Sequence, residues 1–262
     1  MAPQALLRIN LFEPLRVQLG DRPPIDEYFA RRRAKALFAY LYLKRGRQIS
    51  KYQLLADLWP DAEHADPGRV KHTVQVLRAA LEGPRPAGGW RVIQERGGFY
   101  FFNTALERYS DVEDFEEQLR LGRLAQQTGQ IPLALDHYRR AIALHRGAFL
   151  SEYRYDDWAA ADIARENELY LAALQEGARL ESTEGNYSRA IDLLRTAIYE
   201  DPLHERSYVE LMRVLWLDGQ RTEALRAYRH MREILAQRLE VEPQAQTTRL
   251  YEAIRRDEAV AM

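Results

Sequence analysis

Six residues, G-N-Y-S-R-A from Gly185 to Ala190, return as G-Q-R-T-E-A from Gly219 to Ala224, an offset of 34 residues. A period of that length holds one pair of antiparallel helices, with glycine at the corner and a small alanine where the two helices approach. Ala197 and Pro202 follow at places such a unit uses, and G-Q-I-P-L-A, Gly129 to Ala134, opens an earlier and looser copy. One helix pair cannot bury its apolar face alone, so consecutive pairs must stack into a superhelix with a concave side. From Tyr109 onward, glycine and proline fall only at what read as helix corners.

Thirty-four residues is the tetratricopeptide length, and stacked repeats of that kind bind proteins or serve as scaffold. The front of the chain obeys another pattern. Leu7, Ile9 and Leu11 alternate with Arg8 and Asn10, then Leu15, Val17 and Leu19 alternate with Arg16 and Gln18 before Gly20-Asp21, which predicts two antiparallel strands. A short Ile25 to Phe29 segment is expected to add a further strand. R-R-R-A-K-A-L-F-A-Y-L-Y-L-K-R-G predicts a helix ending at Gly46; its Arg31 to Arg33 run suits a solvated helix start or phosphate contact. Ser50 offers an N-cap for a second helix that Pro60 ends, and Asp66-Pro67-Gly68 precedes a third. Two β-rich pieces, Trp90 to Glu95 and Phe99 to Phe102, then flank Arg96-Gly97-Gly98, a hairpin signal.

The third helix, Gly68 to Glu82, places Val70, Val74, Leu77 and Leu81 on one stripe that must face a core. Its other face carries Arg69, Lys71, His72 and Gln75, with Val76 at the border and Arg78 further along. Donors of this kind read guanine and adenine edges in the major groove, an apolar group meets the thymine methyl, and cations hold phosphates. Two helices bracing a third, followed by a hairpin with a basic tip, is the order of a winged helix-turn-helix.

Charge is divided unevenly. Residues 1 to 108 hold 18 Lys and Arg against 11 Asp and Glu, net +7, and the remainder is net −8. A nucleic-acid reader joined to a protein-facing module would be so divided, because neutralising phosphates needs the positive charge on one piece. The chain has no cysteine, which excludes disulfides and thiolate zinc sites. The longest apolar run, Ala36 to Leu43, is far below the roughly 18 residues a membrane span needs. The start, with Arg8 and Asn10 inside its apolar segment, reads as neither signal peptide nor anchor, so a cytoplasmic protein without membrane contact is expected.

The segments R-R-x-A-K-A-L-F-A-Y-L, R-Q-I-S-K-Y-Q-L-L-A-D-L-W-P-D, V-x-V-L-R-A-A-L-E and G-G-F-Y resemble the winged-helix domain of OmpR-type regulators behind a small β-sheet. That likeness implies that Lys51 and Tyr52 start the helix crossing the DNA backbone, that Arg69, Lys71, His72, Thr73, Gln75 and Val76 face the groove, and that Arg96 and Gly97 lie on the wing, with Arg78 on phosphate. Ala79 and Ala80 depart from it, since relatives are often basic there. G-A-F-L at Gly147 to Leu150, Trp158, D-P-L-H-E-R-S-Y-V-E-L-M-R-V-L from Asp201, D-G-Q-R-T-E-A-L-R-A-Y from Asp218 and L-E-V-E-P at Leu239 to Pro243 resemble the bacterial transcriptional activator domain. In regulators of the antibiotic-regulatory-protein type this domain follows the winged helix directly.

The resemblance implies a mainly α fold with small β-sheets: a winged helix-turn-helix domain at 1–108 and an all-α, tetratricopeptide-like superhelix at 109–262. It implies two protomers on direct repeats of double-stranded DNA, contacting RNA polymerase to activate transcription. With no receiver, phosphopeptide-binding or ATPase module in this sequence, a minimal version is expected. Glu240 stands where the family usually has glycine, so the last corner is expected to differ.

No phosphate-cradling or nucleophile-elbow signature occurs, and His204-Glu205 lacks the second histidine of H-E-x-x-H, Tyr208 standing in its place. His64, His137, His145 and His230 read as helix-surface residues. No enzyme activity, metal site or cofactor is expected. Two other readings stay open: a tetratricopeptide interaction scaffold, and a ligand-gated regulator with a pocket in the helical half.

Overall fold

The computed structural model describes residues 6–26, 29, 31–60 and 66–258. They fall into two compact units: Met1–Glu116 with Leu144–Asn167, and Glu117–Ala143 with Glu168–Met262. The architecture is mainly α with small sheets, a winged helix-turn-helix in the first unit and tetratricopeptide-like helix pairs in the second.

In the first unit, alternation makes β1 (Leu7–Asn10) and β2 (Arg16–Leu19) an antiparallel pair in which Leu7 faces Leu19 and Ile9 faces Val17, with all four side chains buried. Ile25 adds a single bridge to Val17; Glu27 and Tyr28, the centre of the expected third strand, lie outside the described residues, as do His64 and the first five residues. α1 (Arg32–Leu43), the two-residue β3 (Ile49–Ser50), α2 (Lys51–Leu58) and α3 (Pro67–Glu82) follow. Ser50 caps α2 as its sequence predicts, its Oγ accepting the Gln53 N–H at 3.1 Å.

β4 (Ile93–Arg96) and β5 (Phe99–Phe102) form the wing, and β5 also pairs with β3. Gly97 and Gly98 both have positive φ, 61° and 82°, the backbone that a two-residue type I′ hairpin demands. β6 (Arg108–Ser110) lies parallel to β1, and the expected domain boundary after Arg108 falls within it. β3 and β6 are too short to leave an alternating pattern in the sequence.

Residues from beyond β6 complete this unit. Leu150 donates its N–H to Leu11 O at 2.9 Å, Phe149 bridges Phe12, and the carboxylate of Asp111 accepts the N–H groups of Leu11 and Phe12 at 2.8–3.1 Å. Lys35, buried, pairs with Glu152, which also accepts the Leu15 N–H. Arg32 pairs with Asp156, Lys44 with Asp162, and Arg45 and Arg108 with Glu113. Five of the 18 cations behind the net +7 are thus neutralised inside the unit.

The helical elements are α4 (Asp111–Gln127), α5 (Ile131–Leu144), a 3-10 turn at Ser151–Tyr153, α6 (Asp157–Thr183), α7 (Tyr187–Glu200), α8 (Glu205–Leu217), α9 (Arg221–Leu239) and α10 (Ala245–Arg256). Gly129, Gly185 and Gly219 sit at the helix corners, and Ala134, Ala190 and Ala224 are fully buried, the last two of each set related by the 34-residue offset. The second unit's core runs from Ile191 and Leu194 on α7 through Tyr208, Met212 and Leu215 on α8 to Tyr228 and Met231 on α9, with Ile254 of α10 closing it.

Two expectations are corrected. His145 is not on a helix surface: it follows α5 and packs against Phe12, ring centroids 4.7 Å apart, and against Phe115. The last corner does not depart from a left-handed cap either, for Glu240 adopts φ 58° and ψ 32° and the Val241 N–H that follows it reaches Leu235 O at 3.5 Å. The hydrogen bond holds a conformation that the Glu240 Cβ disfavours by roughly 1–2 kcal/mol.

Glu240→Gly should therefore raise stability by about 1 kcal/mol, read as a higher urea midpoint at unchanged slope. Burial pushes the His145 imidazole down to about 4. With its native value below the unfolded one near 6.5, His145 contributes stability that is present above that value and lost as the pH falls toward 4. His145→Phe should lose less stability than wild type between about pH 7 and about pH 5, measured by urea unfolding at each pH. Asp111, which burial raises to about 6, titrates with the opposite sign in both proteins, so the difference between them isolates His145.

Candidate nucleic-acid interface

Asp66 caps α3, its Oδ1 accepting the Gly68 N–H at 2.8 Å, and Pro67 fixes the first helical φ. Val70, Val74 and Leu77 are fully buried and Leu81 nearly so, and α3 packs by this stripe on α1 and α2. What remains outward is the predicted face: Arg69, Lys71, His72 and Gln75 are exposed, with Thr73 and Val76 half-buried at its edge. Thr73 donates its hydroxyl to Arg69 O at 2.8 Å, which leaves its oxygen free only as an acceptor.

The start of α2 adjoins the wing. The Lys51 N–H reaches Gly98 O at 3.4 Å, Lys51 Nζ lies 5.2 Å from the Tyr52 ring, and Tyr52 is 64% exposed. Arg96, at the end of β4, and Gly97, at the turn, are exposed beside them. Lys51, Tyr52, Arg96 and Gly97 thus form one patch, although some 45 residues separate them in sequence.

Arg78 departs from its expected role. It is 4% exposed; its Nε donates to Ile93 O at 3.0 Å, its guanidinium lies 5.6 Å from the Trp90 ring, and Glu95 is within ion-pair range. Burial pulls its pKa below the usual arginine value while Glu95 opposes that shift. A side chain so enclosed reaches no phosphate, and it acts as the brace between α3 and the wing. Its position near the helix end, where the apolar stripe and the polar face converge, made it read as outward in sequence.

Two clefts flank α3. One, of about 640 Å3, lies toward the wing and is lined by Gln75, Arg78, Arg85, Trp90, Glu95 and Arg96 among others. The other, of about 440 Å3, has Arg69, His72 and Val76 on one wall and Arg31, Arg33 and Trp59 on the opposite one. Arg85 was missed from sequence because Pro84 and Pro86 mark its stretch as a turn without saying what it sits beside. Among the described residues no group of His, Cys, Asp or Glu is arranged to hold a metal ion, and no helix is long and apolar enough to cross a membrane.

The class defined so far is a winged helix with helical repeats. Residues 110–255 match the bacterial transcriptional activator domain, and the chain belongs to that family, as a transcriptional regulator of the antibiotic-regulatory-protein type. It is 26% identical to regulatory protein DnrI of Streptomyces peucetius over 230 residues, 86% of this chain and 84% of DnrI. It is also 26% identical to regulatory protein AfsR of Streptomyces coelicolor, over 80% of this chain but 20% of AfsR. A solved structure of Mycobacterium tuberculosis EmbR, in complex with a low affinity phosphopeptide, superposes with a TM-score of 0.81 at 23% identity, covering 98% of this chain and 67% of EmbR. The likeness to EmbR is one of fold.

Arg78→Met should leave the Ile93 carbonyl buried without its donor and cost about 2 kcal/mol, read from the urea midpoint. An unchanged midpoint would show that the brace is not needed.

Proposed function

We propose that this chain is a sequence-specific, duplex-DNA-binding transcriptional activator that works by recruitment and performs no covalent chemistry. The exposed donor face of α3 carries the reading. It enters the major groove, where Gln75 suits an adenine edge, Arg69 and Lys71 suit guanine edges, His72 and Thr73 add polar contacts, and Val76 meets a thymine methyl. Lys51 and Tyr52 at the start of α2, with Arg96 and Gly97 on the wing, hold phosphates. Residues 1–108 do the reading, and residues 109–262 pair two protomers on direct repeats and contact RNA polymerase. The family membership and the similarity to DnrI over most of both chains support this division of labour.

The ligand-gated reading has weaker support. The second unit has a cleft of about 390 Å3 beside Ile142 and Leu193, but the Arg139 at its rim is already paired with Glu181.

Selection from random duplexes, followed by fluorescence anisotropy across a salt series, tests the proposal. Log K should fall steeply with log salt, by about 0.9 for each phosphate held. Lys51→Ala should flatten that slope by about one on any duplex, while Gln75→Ala should cost roughly 1–3 kcal/mol on the selected sequence and little on random DNA. A flat salt response in the wild type would return the chain to the scaffold reading.

A further inference from the structure

Only part of the Arg31 to Arg33 run is spoken for. Arg32 is held by Asp156 at 2.5 Å and by Glu152 O at 3.1 Å. Arg33 donates to Leu58 O, with its guanidinium 5.9 Å from the Trp59 ring. Arg31 is exposed, and among the described residues its side chain makes no hydrogen bond or ion pair. The same holds for Arg69, facing it from α3 across the cleft. Among the described residues that line this cleft there is no carboxylate. On the other flank of α3, Arg85 and Arg96 are likewise exposed and uncommitted.

α3 is therefore a ridge between two clefts, each holding two uncommitted guanidiniums. A helix about 10–12 Å across fills a major groove about 12 Å wide, and the groove is bordered by the phosphate backbones of the two opposite strands. We propose that the cleft between Arg31 and Arg69 is a second phosphodiester seat, so that the protein grips one strand there and the other strand between Arg85 and Arg96. The proposal rests on the duplex-binding reading and adds Arg31 and Arg85 to it as phosphate-contact residues. A guanidinium offers a phosphate two parallel donors, and desolvating it is cheaper than desolvating an ammonium.

Ethylation interference on both strands of the selected duplex, with the full chain, tests this. Arg31→Ala should lose interference at phosphates of one strand and Arg85→Ala at phosphates of the other. Each should also flatten the salt slope by about one, so that either defect narrows about threefold between about 50 and about 200 mM salt. Arg31→Lys, which keeps the charge, should retain the slope. Wild-type slope and wild-type interference for Arg31→Ala, with tight salt-dependent binding by the wild type, would overturn the second seat and leave the DNA reading standing. Absence of salt-dependent binding by the wild type itself would remove both. Phenylglyoxal modification of Arg31 should be blocked by the selected duplex and not by millimolar inorganic phosphate; equal protection by phosphate would make the cleft a small-anion site and overturn the backbone assignment.

Discussion

Arg78 is the contact that turns a helix and a hairpin into one surface. Its hydrogen bond to Ile93 O crosses from α3 to the first strand of the wing, while the Trp90 ring covers its guanidinium and Glu95 offsets its charge. A buried guanidinium is costly unless its donors are met, so the position of the wing is coupled to that of α3. β3 supplies a second tie by pairing with β5 and passing directly into α2. The outward face of α3, the start of α2 and the wing tip therefore form one preorganised surface, which leaves little ordering entropy for a ligand to remove.

The first unit uses charge for cohesion as much as for display. Lys35 is nearly inaccessible and is tolerable there because Glu152 neutralises it, while Glu152 is itself oriented by the Leu15 N–H. Asp111 accepts three backbone N–H groups, those of Leu11, Phe12 and Val112, and joins the β-sheet to the first turn of α4. Burial nevertheless raises its pKa to about 6, so desolvation outweighs those three bonds. Around α3 and the wing, Arg31, Lys51, Arg69, Lys71, Arg85 and Arg96 are cations that no ion pair among the described residues uses.

The second unit depends on packing. Fully buried Ala134, Ala190 and Ala224 recur at the close approaches of successive helix pairs, where a larger side chain would force the helices apart. Tyr228 and Tyr251 stack with ring centroids 4.2 Å apart and seal α10 onto α9. At the exposed corner after α9, Glu240 takes a left-handed backbone for which it has no preference, closed by the Val241 N–H to Leu235 O.

Local chemistry determines much of this architecture. The 34-residue recurrence gave the helix pairs, the Val70–Val74–Leu77–Leu81 stripe gave the buried side of α3, Ser50 and Asp66 gave the caps, and the two adjacent glycines gave the hairpin turn. Each of these is an interaction between residues close in sequence or set by a regular period. Tertiary structure decided what depends on neighbours remote in sequence: that Arg78 points inward to a wing 15 residues away, that His145 packs on Phe12, and that Arg32 is consumed by Asp156 while Arg31 has no such partner among the described residues. Periodicity says which side of a helix faces a core, but a long cationic side chain at the edge of that side can turn either way. The partner it finds across the fold settles which.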